Sequence, residues 1–153
     1  MRARPSTAED ATGISSVLTA LATAGLRSKP ADEAFVRDYY ITHPSQIECS
    51  IAVDDAGTVL GFQSLKRAIP GNKYGVTPGW GVIGTHIHPN AHRLGAGRSL
   101  FAATRLAAMK AGLARIDATI GDTNSSGLAY YEAMGFRTYQ IIEGAIRKVY
   151  DLK

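Results

Sequence analysis

GWGVIGTHIHPNAHRLGAGRSLFAATRLAAMKAG, residues Gly79 to Gly112, reads as a strand, a glycine-rich turn and a helix. Val82, Ile83, Thr85 and Ile87 are β-branched and favour extended backbone from Trp80 to His88, and Pro89 with Asn90 ends the strand. From Arg98 to Ala111 the chain is rich in Ala and Leu and lacks Pro and Gly, which predicts a helix opening around Gly97 and stopping at Gly112. Between the two lies His92 to Gly97. Gly95 and Gly97 can adopt backbone angles that other residues avoid, so successive N–H groups can converge at the positive end of the helix and hold an anion, above all a phosphate. Arg93 and Arg98 flank the turn with positive charge, and Ser99 offers a hydroxyl. The glycines do not follow the dinucleotide fingerprint or the P-loop pattern. A tight turn that merely starts a helix remains the alternative reading.

The run Ile87-His88-Pro89-Asn90-Ala91-His92-Arg93-Leu94-Gly95-Ala96-Gly97 resembles the acyl-CoA signature of the GNAT superfamily of N-acyltransferases. That signature is an aliphatic residue, any residue, Pro, Gln or Arg, two of any kind, Gly, any residue, then Gly or Ala. His92 stands where Gln or Arg is usual. Downstream, Asn124-Ser-Ser-Gly127-Leu-Ala-Tyr130-Tyr131-Glu-Ala-Met-Gly135-Phe136 is similar to the family's Asn, helix, Tyr-x-x-x-Gly-Phe element, with Gly127 where Ala is common.

Away from these motifs, 153 residues make one domain of ordinary size, residues 1–153, with 45% hydrophobic and 20% charged residues as in globular proteins. The start carries no apolar leader core and no apolar run reaches spanning length, so a cytoplasmic location without membrane contact is expected. Cys49 is the only cysteine, which excludes an intrachain disulfide, and no local pattern supports an activated thiol. The net charge of +4 comes without a basic run or a basic helix face, so nucleic acid is not an expected partner.

Arg2 to Pro5 reads as a first strand. Ser6 with Glu9, or Thr7 with Asp10, can cap a helix whose stripe is Ile14, Val17, Leu18 and Leu21. A second helix is expected from Ala31 to Tyr40, then strands at Ile47–Asp54 and Val59–Lys66 around a hairpin turn, and a long loop from Arg67 to Gly79. After the central helix come a strand at Arg115–Ile120, a helix at Ser125–Met134, and a hairpin of Tyr139–Ile142 with Ile146–Leu152. Six to seven strands with about four helices give an α+β domain. The resemblance supplies the topology, a three-layer fold around a mixed, V-shaped sheet whose central parallel strands splay to admit the pantetheine arm.

The resemblance implies an acetyl-CoA-dependent N-acetyltransferase that needs no metal. Its acceptor would be a small amine or amino acid, with a protein N-terminus or lysine as the second choice and a silent acyl-CoA-binding module as the third. Ile87, His88, His92, Arg93, Leu94, Gly95, Ala96, Gly97, Arg98, Ser99 and Asn124 would hold the cofactor, and backbone donors near Ile87 would face the acyl oxygen. Tyr131 would be the acid that assists the leaving thiolate. Its neighbour Tyr130 points about 100° away on a helix and is expected to matter little. Several family members carry a glutamate base at the position of Gly81, so the base is expected instead at His86, whose side chain shares a face with that of His88. A zinc site is not expected, since His92 lies beyond a proline turn. A homodimer through the C-terminal strands would suit such a fold.

Overall fold

The computed structural model describes residues 1–153. Its elements follow in the order β1 (Arg2–Pro5), α1 (Ala11–Thr23), α2 (Glu33–Val36), β2 (Gln46–Val53), β3 (Val59–Arg67), β4 (Gly81–Ile87), α3 (Ala96–Lys110), β5 (Arg115–Gly121), α4 (Ser125–Met134), β6 (Arg137–Ile142) and β7 (Ala145–Asp151). The strands form one mixed sheet in the order β1-β2-β3-β4-β5-β7-β6. Every neighbouring pair is antiparallel except β4 with β5.

Strand alternation sorts the core into two layers. On one face, Ile51 and Phe62 pack with Ile14, Val17, Leu18 and Leu21 of α1 and with Val36 and Tyr40. The stripe read from the sequence is therefore the buried side of α1, with Ile14, Val17 and Leu18 wholly buried. On the other face, Leu65, Ile83, Ile116, Ala118 and Ile120 meet Phe101 of α3 and Tyr131 of α4, with Phe136 just beyond. Helices thus cover both faces of the sheet, which gives the three layers.

Two elements differ from the sequence reading in ways that have a cause. The second helix begins at Glu33, because the Asp32 carboxylate accepts the Phe35 N–H at 3.2 Å and so fixes Asp32 as the cap, leaving Pro30 outside. The same helix continues through Arg37–Ile41 as a π-helical turn, which brings Tyr39 and Tyr40 together over the sheet. The central helix starts at Ala96. Gly95, at φ +84°, is the left-handed residue that turns the chain into it. The helix Ser125–Met134 has the expected bounds, and Gly135 ends it at φ +104°.

Candidate active site

The site is organised by a defect in the sheet. β4 and β5 run parallel but are paired only at Gly81–Ile116 and Val82–Asp117; beyond Val82 they part. The His88 N–H donates to the Leu60 carbonyl at 2.8 Å, and alternate amides on a strand point the same way. The amides of Thr85 and Ile87 therefore face the side from which β5 has departed, where they are free to donate to a guest. Gly81, at the closed end, has no room for a side chain. A Cβ there would lie 2.8 Å from Leu113 Cδ1 and 2.9 Å from Leu65 Cδ1, so a glutamate base at this position is excluded by packing as well as by sequence.

At the open end of β4 the chain makes a short 3-10 turn at Pro89–Ala91 and enters the cradle. Arg93, at φ +67°, is the only non-glycine residue in the left-handed region, and Gly95 follows it there. No amide from Arg93 to Arg98 is taken by another part of the backbone, and no side chain caps the helix. Those N–H groups and the dipole of a 15-residue helix form a positive concavity open to an anion. His92, Arg93, Leu94 and Arg98 are exposed around it, Ala96 is buried beneath it, and Ser99 is half-buried in the first turn.

Tyr130 and Tyr131 both reach this region, and each makes specific polar contacts. The Tyr131 hydroxyl lies 2.8 Å from Thr85 Oγ1 on β4, and its ring is 6% exposed against Phe136. Burial pushes its phenol well above the ordinary tyrosine range, so it is a neutral proton holder at any physiological pH. The Tyr130 hydroxyl donates to the Gly97 carbonyl at 2.7 Å and accepts from Gln63 Nε2 at 2.9 Å. Gln63 Nε2 also donates to Thr85 Oγ1 at 2.9 Å. The proton order follows from donor inventory. Thr85 already accepts from Gln63 and can donate its own proton to Tyr131, which leaves the Tyr131 O–H free for a guest in the splay.

This network corrects the expectation that Tyr130 matters little. Tyr130→Phe removes the tie on the Gly97 carbonyl and leaves the buried Gln63 amide short of a partner. We expect a stability loss of about 1–3 kcal/mol in urea denaturation and weaker binding at the cradle. A variant with wild-type stability and affinity would show that the contact carries nothing.

The opposite face of the splay holds a cavity of about 300 Å³ between the π-helical turn with Tyr39 and Tyr40, β3, β4, β5 and the loop carrying Tyr74 and Val76. The long loop 67–80 is held by its own bonds. Asn72 Nδ2 donates to the Ile69 and Val76 carbonyls, and Asn72 Oδ1 accepts the Val76 N–H. His86 forms part of the cavity wall, its ring stacked on Phe62 at 4.7 Å between centroids and its Nδ1 buried without a hydrogen-bond partner. Burial first, and then the charges of Arg27 and Lys29, push its pKa down to about 3. The ring is neutral at pH 7 and a weak base, too weak to take a proton efficiently from an ammonium. His88 shares the face of His86 but lines a separate open depression beside α1.

The sign of the His86 linkage gives a measurable consequence. A free histidine titrates near 6.5 and this one near 3, so the unfolded chain binds more protons in that window. The contribution is constant above about pH 6.5 and falls as pH drops toward 3. We expect the urea midpoint to fall on acidification through this range, and His86→Phe to flatten the slope by up to one proton. Observation by NMR of a His86 titration near 6.5 would overturn the burial argument.

Asp117, which the sequence reading passed over, lies fully buried on the cavity side of β5. It accepts from the Tyr139 hydroxyl and from Thr119 Oγ1 at 2.9 Å, and Arg147 Nε lies 3.5 Å away. Its signal in RIDATIG was the alternation itself: Ile116, Ala118 and Ile120 take one face, which leaves Asp117 and Thr119 on the other. Gln63 and Thr85 gave no comparable signal, because nothing local marks a strand residue as hydrogen-bonded to a distant helix.

Asn124 sits at the start of α4 with Oδ1 accepting the Gly127 N–H at 3.0 Å, a helix cap whose Nδ2 has no partner within the chain. A Cβ at residue 127 would fall 2.6 Å from that Nδ2, so a side chain here would have to turn the Asn124 amide aside. Cys49 is buried, and burial pushes its thiol up to about 11; it remains a protonated core residue.

A sequence model of the acetyltransferase (GNAT) family matches residues 16–136. No curated protein matches the sequence. Among solved structures, the chain is similar to a GCN5-related N-acetyltransferase from Kribbella flavida, at 20% identity and a TM-score of 0.82, over 99% of this chain and 97% of that one. It is also similar to yncA of Salmonella typhimurium, solved with its cofactor acetyl-CoA, at 19% identity and a TM-score of 0.71, over 99% and 93%. A third likeness is to the PaiA N-acetyltransferase from Thermoplasma acidophilum in complex with coenzyme A, at 17% identity and a TM-score of 0.74, over 98% of both chains. At these identities the likenesses show a shared fold.

Proposed function

The chain belongs to the acetyltransferase (GNAT) family, and on that premise we propose that it transfers the acetyl group of acetyl-CoA to the primary amine of a small molecule or amino acid. One observation carries the reading: the free amides at the start of α3, the unpaired edge of β4 and the Tyr131 hydroxyl lie along one continuous path. The residues fit the cosubstrate. A diphosphate suits a concavity of unclaimed N–H groups, and an extended arm suits a gap bounded by strand amides. When bound, acetyl-CoA supplies the activated acyl group.

The chain's own residues then have distinct work. Amides from Arg93 to Arg98 hold the phosphates, with Arg93 and Arg98 adding charge and Ser99 a hydroxyl. The Ile87 and Thr85 N–H groups face the gap as donors to negative charge developing on the acyl oxygen, a contribution typically worth about 3–4 kcal/mol per donor. Tyr131 holds its proton at Oη for the sulfur. A phenol is a weaker acid than a thiol, about 10 against 8.5 in water, so Tyr131 shares the proton as charge grows on sulfur and does not give it up in advance. His86, neutral and stacked on Phe62, walls the acceptor side of the splay, and the amine's proton leaves to water in the cleft. Asn124 Nδ2 is available to the arm of the cosubstrate.

The small volume of the cavity, walled by the Tyr74 loop, supports a small acceptor over a protein. No helix is long and apolar enough to cross a membrane, and we propose a cytoplasmic protein acting as one domain. The exposed Ile141 and Ile142 on the edge strand β6 support a homodimer through the C-terminal strands. The test of the activity is release of free CoA thiol from acetyl-CoA in the presence of amines, amino acids and peptides. Amine-dependent release upholds the reading. Release by peptides alone would move the acceptor class, and tight acetyl-CoA binding without any release would leave a binding module.

A further inference from the structure

Three cations border the acceptor cavity, and none has a carboxylate partner. Arg27 and Lys29 come from the segment after α1, and Lys66 from the end of β3; all three are absent from the ion pairs of the chain. The only carboxylate in the wall is Asp117. Its charge is already answered by Arg147 behind it and by the Tyr139 and Thr119 hydroxyls, so it does not neutralise the three cations. Lys66 is half-buried with its ammonium 3.3 Å from the centroid of the Tyr39 ring, and burial and the neighbouring Lys29 and Lys73 lower its pKa to about 8 despite an opposing contribution from Cys49. A partly desolvated ammonium without a counter-charge is a costly arrangement unless something anionic arrives to pair with it.

Register places this charge relative to the chemistry. Lys66 pairs with Val82, and Val82 with Asp117, so the three form one row across β3, β4 and β5 at the closed end of the splay. His86, paired with Phe62, stands toward the open end, where the Thr85 and Ile87 amides are. A molecule lying in the cavity can thus present one end to His86 and the other to Lys66, with the charges of Arg27 and Lys29 close enough to act on His86 as well.

We infer that the acceptor carries an acidic group as well as its amine: the cavity takes a small amino acid whose carboxylate is held by Lys66 while its amine faces the splay, with Arg27 and Lys29 adding positive charge along the wall. The inference rests on the transferase reading for the identity of the reacting end, but the anion site stands on its own geometry.

The experiment pairs aspartate, glutamate and β-alanine with their carboxamides and with matched plain amines. Acetylation is followed by thiol release, and binding to the protein saturated with CoA by calorimetry. The acids are expected to exceed their amides in kcat/KM and in affinity by about 10- to 100-fold, the worth of one charge-assisted hydrogen bond. Lys66→Met and Arg27→Gln should remove most of that preference while leaving acetyl-CoA affinity unchanged. Amides or plain amines that bind and react as well as the acids would overturn the inference, as would Lys66→Met with its preference intact or acids that fail to bind. Acids that bind but are never acetylated would uphold the anion site and sink the transferase reading. Efficient acetylation of plain amines alone would do the reverse.

Discussion

Tyr131→Phe lowers kcat by about 100- to 10,000-fold, the usual worth of a positioned acid, while the acetyl-CoA dissociation constant changes by about twofold or less. The substitution removes one oxygen, and the ring keeps its packing against Phe136. Thr85 retains the bond from Gln63 Nε2, so the scaffold around the missing hydroxyl is preserved. The loss should also be nearly independent of pH between about 6 and 9, because a phenol whose pKa burial has raised remains protonated throughout. Measured kcat ratios at three pH values, with calorimetric affinity beside them, test this. If affinity collapses and turnover of the bound complex is normal, Tyr131 is a binding residue and the acid lies elsewhere.

Gly97→Val abolishes cofactor binding at ordinary concentrations. A Cβ at this position would lie 2.6 Å from Tyr130 Cε1 and 3.3 Å from Cδ1 and Cζ. Tyr130 cannot simply turn away, since its hydroxyl is tied to the Gly97 carbonyl and to Gln63. The first turn of α3 has to move, and its amides move with it. We expect the acetyl-CoA dissociation constant to rise by about 100-fold or more, about 2.7 kcal/mol, with a further stability loss of about 1–3 kcal/mol from overpacking. Affinity is measured well below the melting temperature so that the two effects separate. An unchanged dissociation constant in a folded variant would place the phosphates away from this turn.

What the sequence made legible was local. The stripe Ile14-Val17-Leu18-Leu21 is a repeating pattern, and it named the buried side of α1 correctly. The glycine-rich turn after β4 and the helix that ends at Gly135 carry their signals within a dozen residues, and both stand where they were read. The parts that escaped depend on residues far apart in the chain. Tyr130 looked like a spare aromatic because its two partners, Gln63 and Gly97, lie 67 and 33 residues away. His86 looked like a base because an isolated histidine titrates near neutrality; only the fold supplies the Phe62 and Tyr40 rings that bury it. Asp117 had only the alternation of RIDATIG to mark it, and the partners that hold it, Tyr139 and Arg147, come from the C-terminal strands.

The parting of β4 and β5 has a mechanical side. Two rungs, Gly81–Ile116 and Val82–Asp117, join the four strands on one side to the three on the other. Across that seam α4 sends Tyr131 to Thr85, and Tyr130 to Gln63 and Gly97, so a pair of adjacent tyrosines stitches the halves together. A guest that fills the gap supplies the rungs the polypeptide omits and acts as a keystone. Its binding energy adds directly to the cohesion of the halves, as RT ln(1 + [L]/Kd). The stability of the folded protein is therefore coupled to the supply of its cosubstrate, and starved of it the molecule should begin to open along this seam.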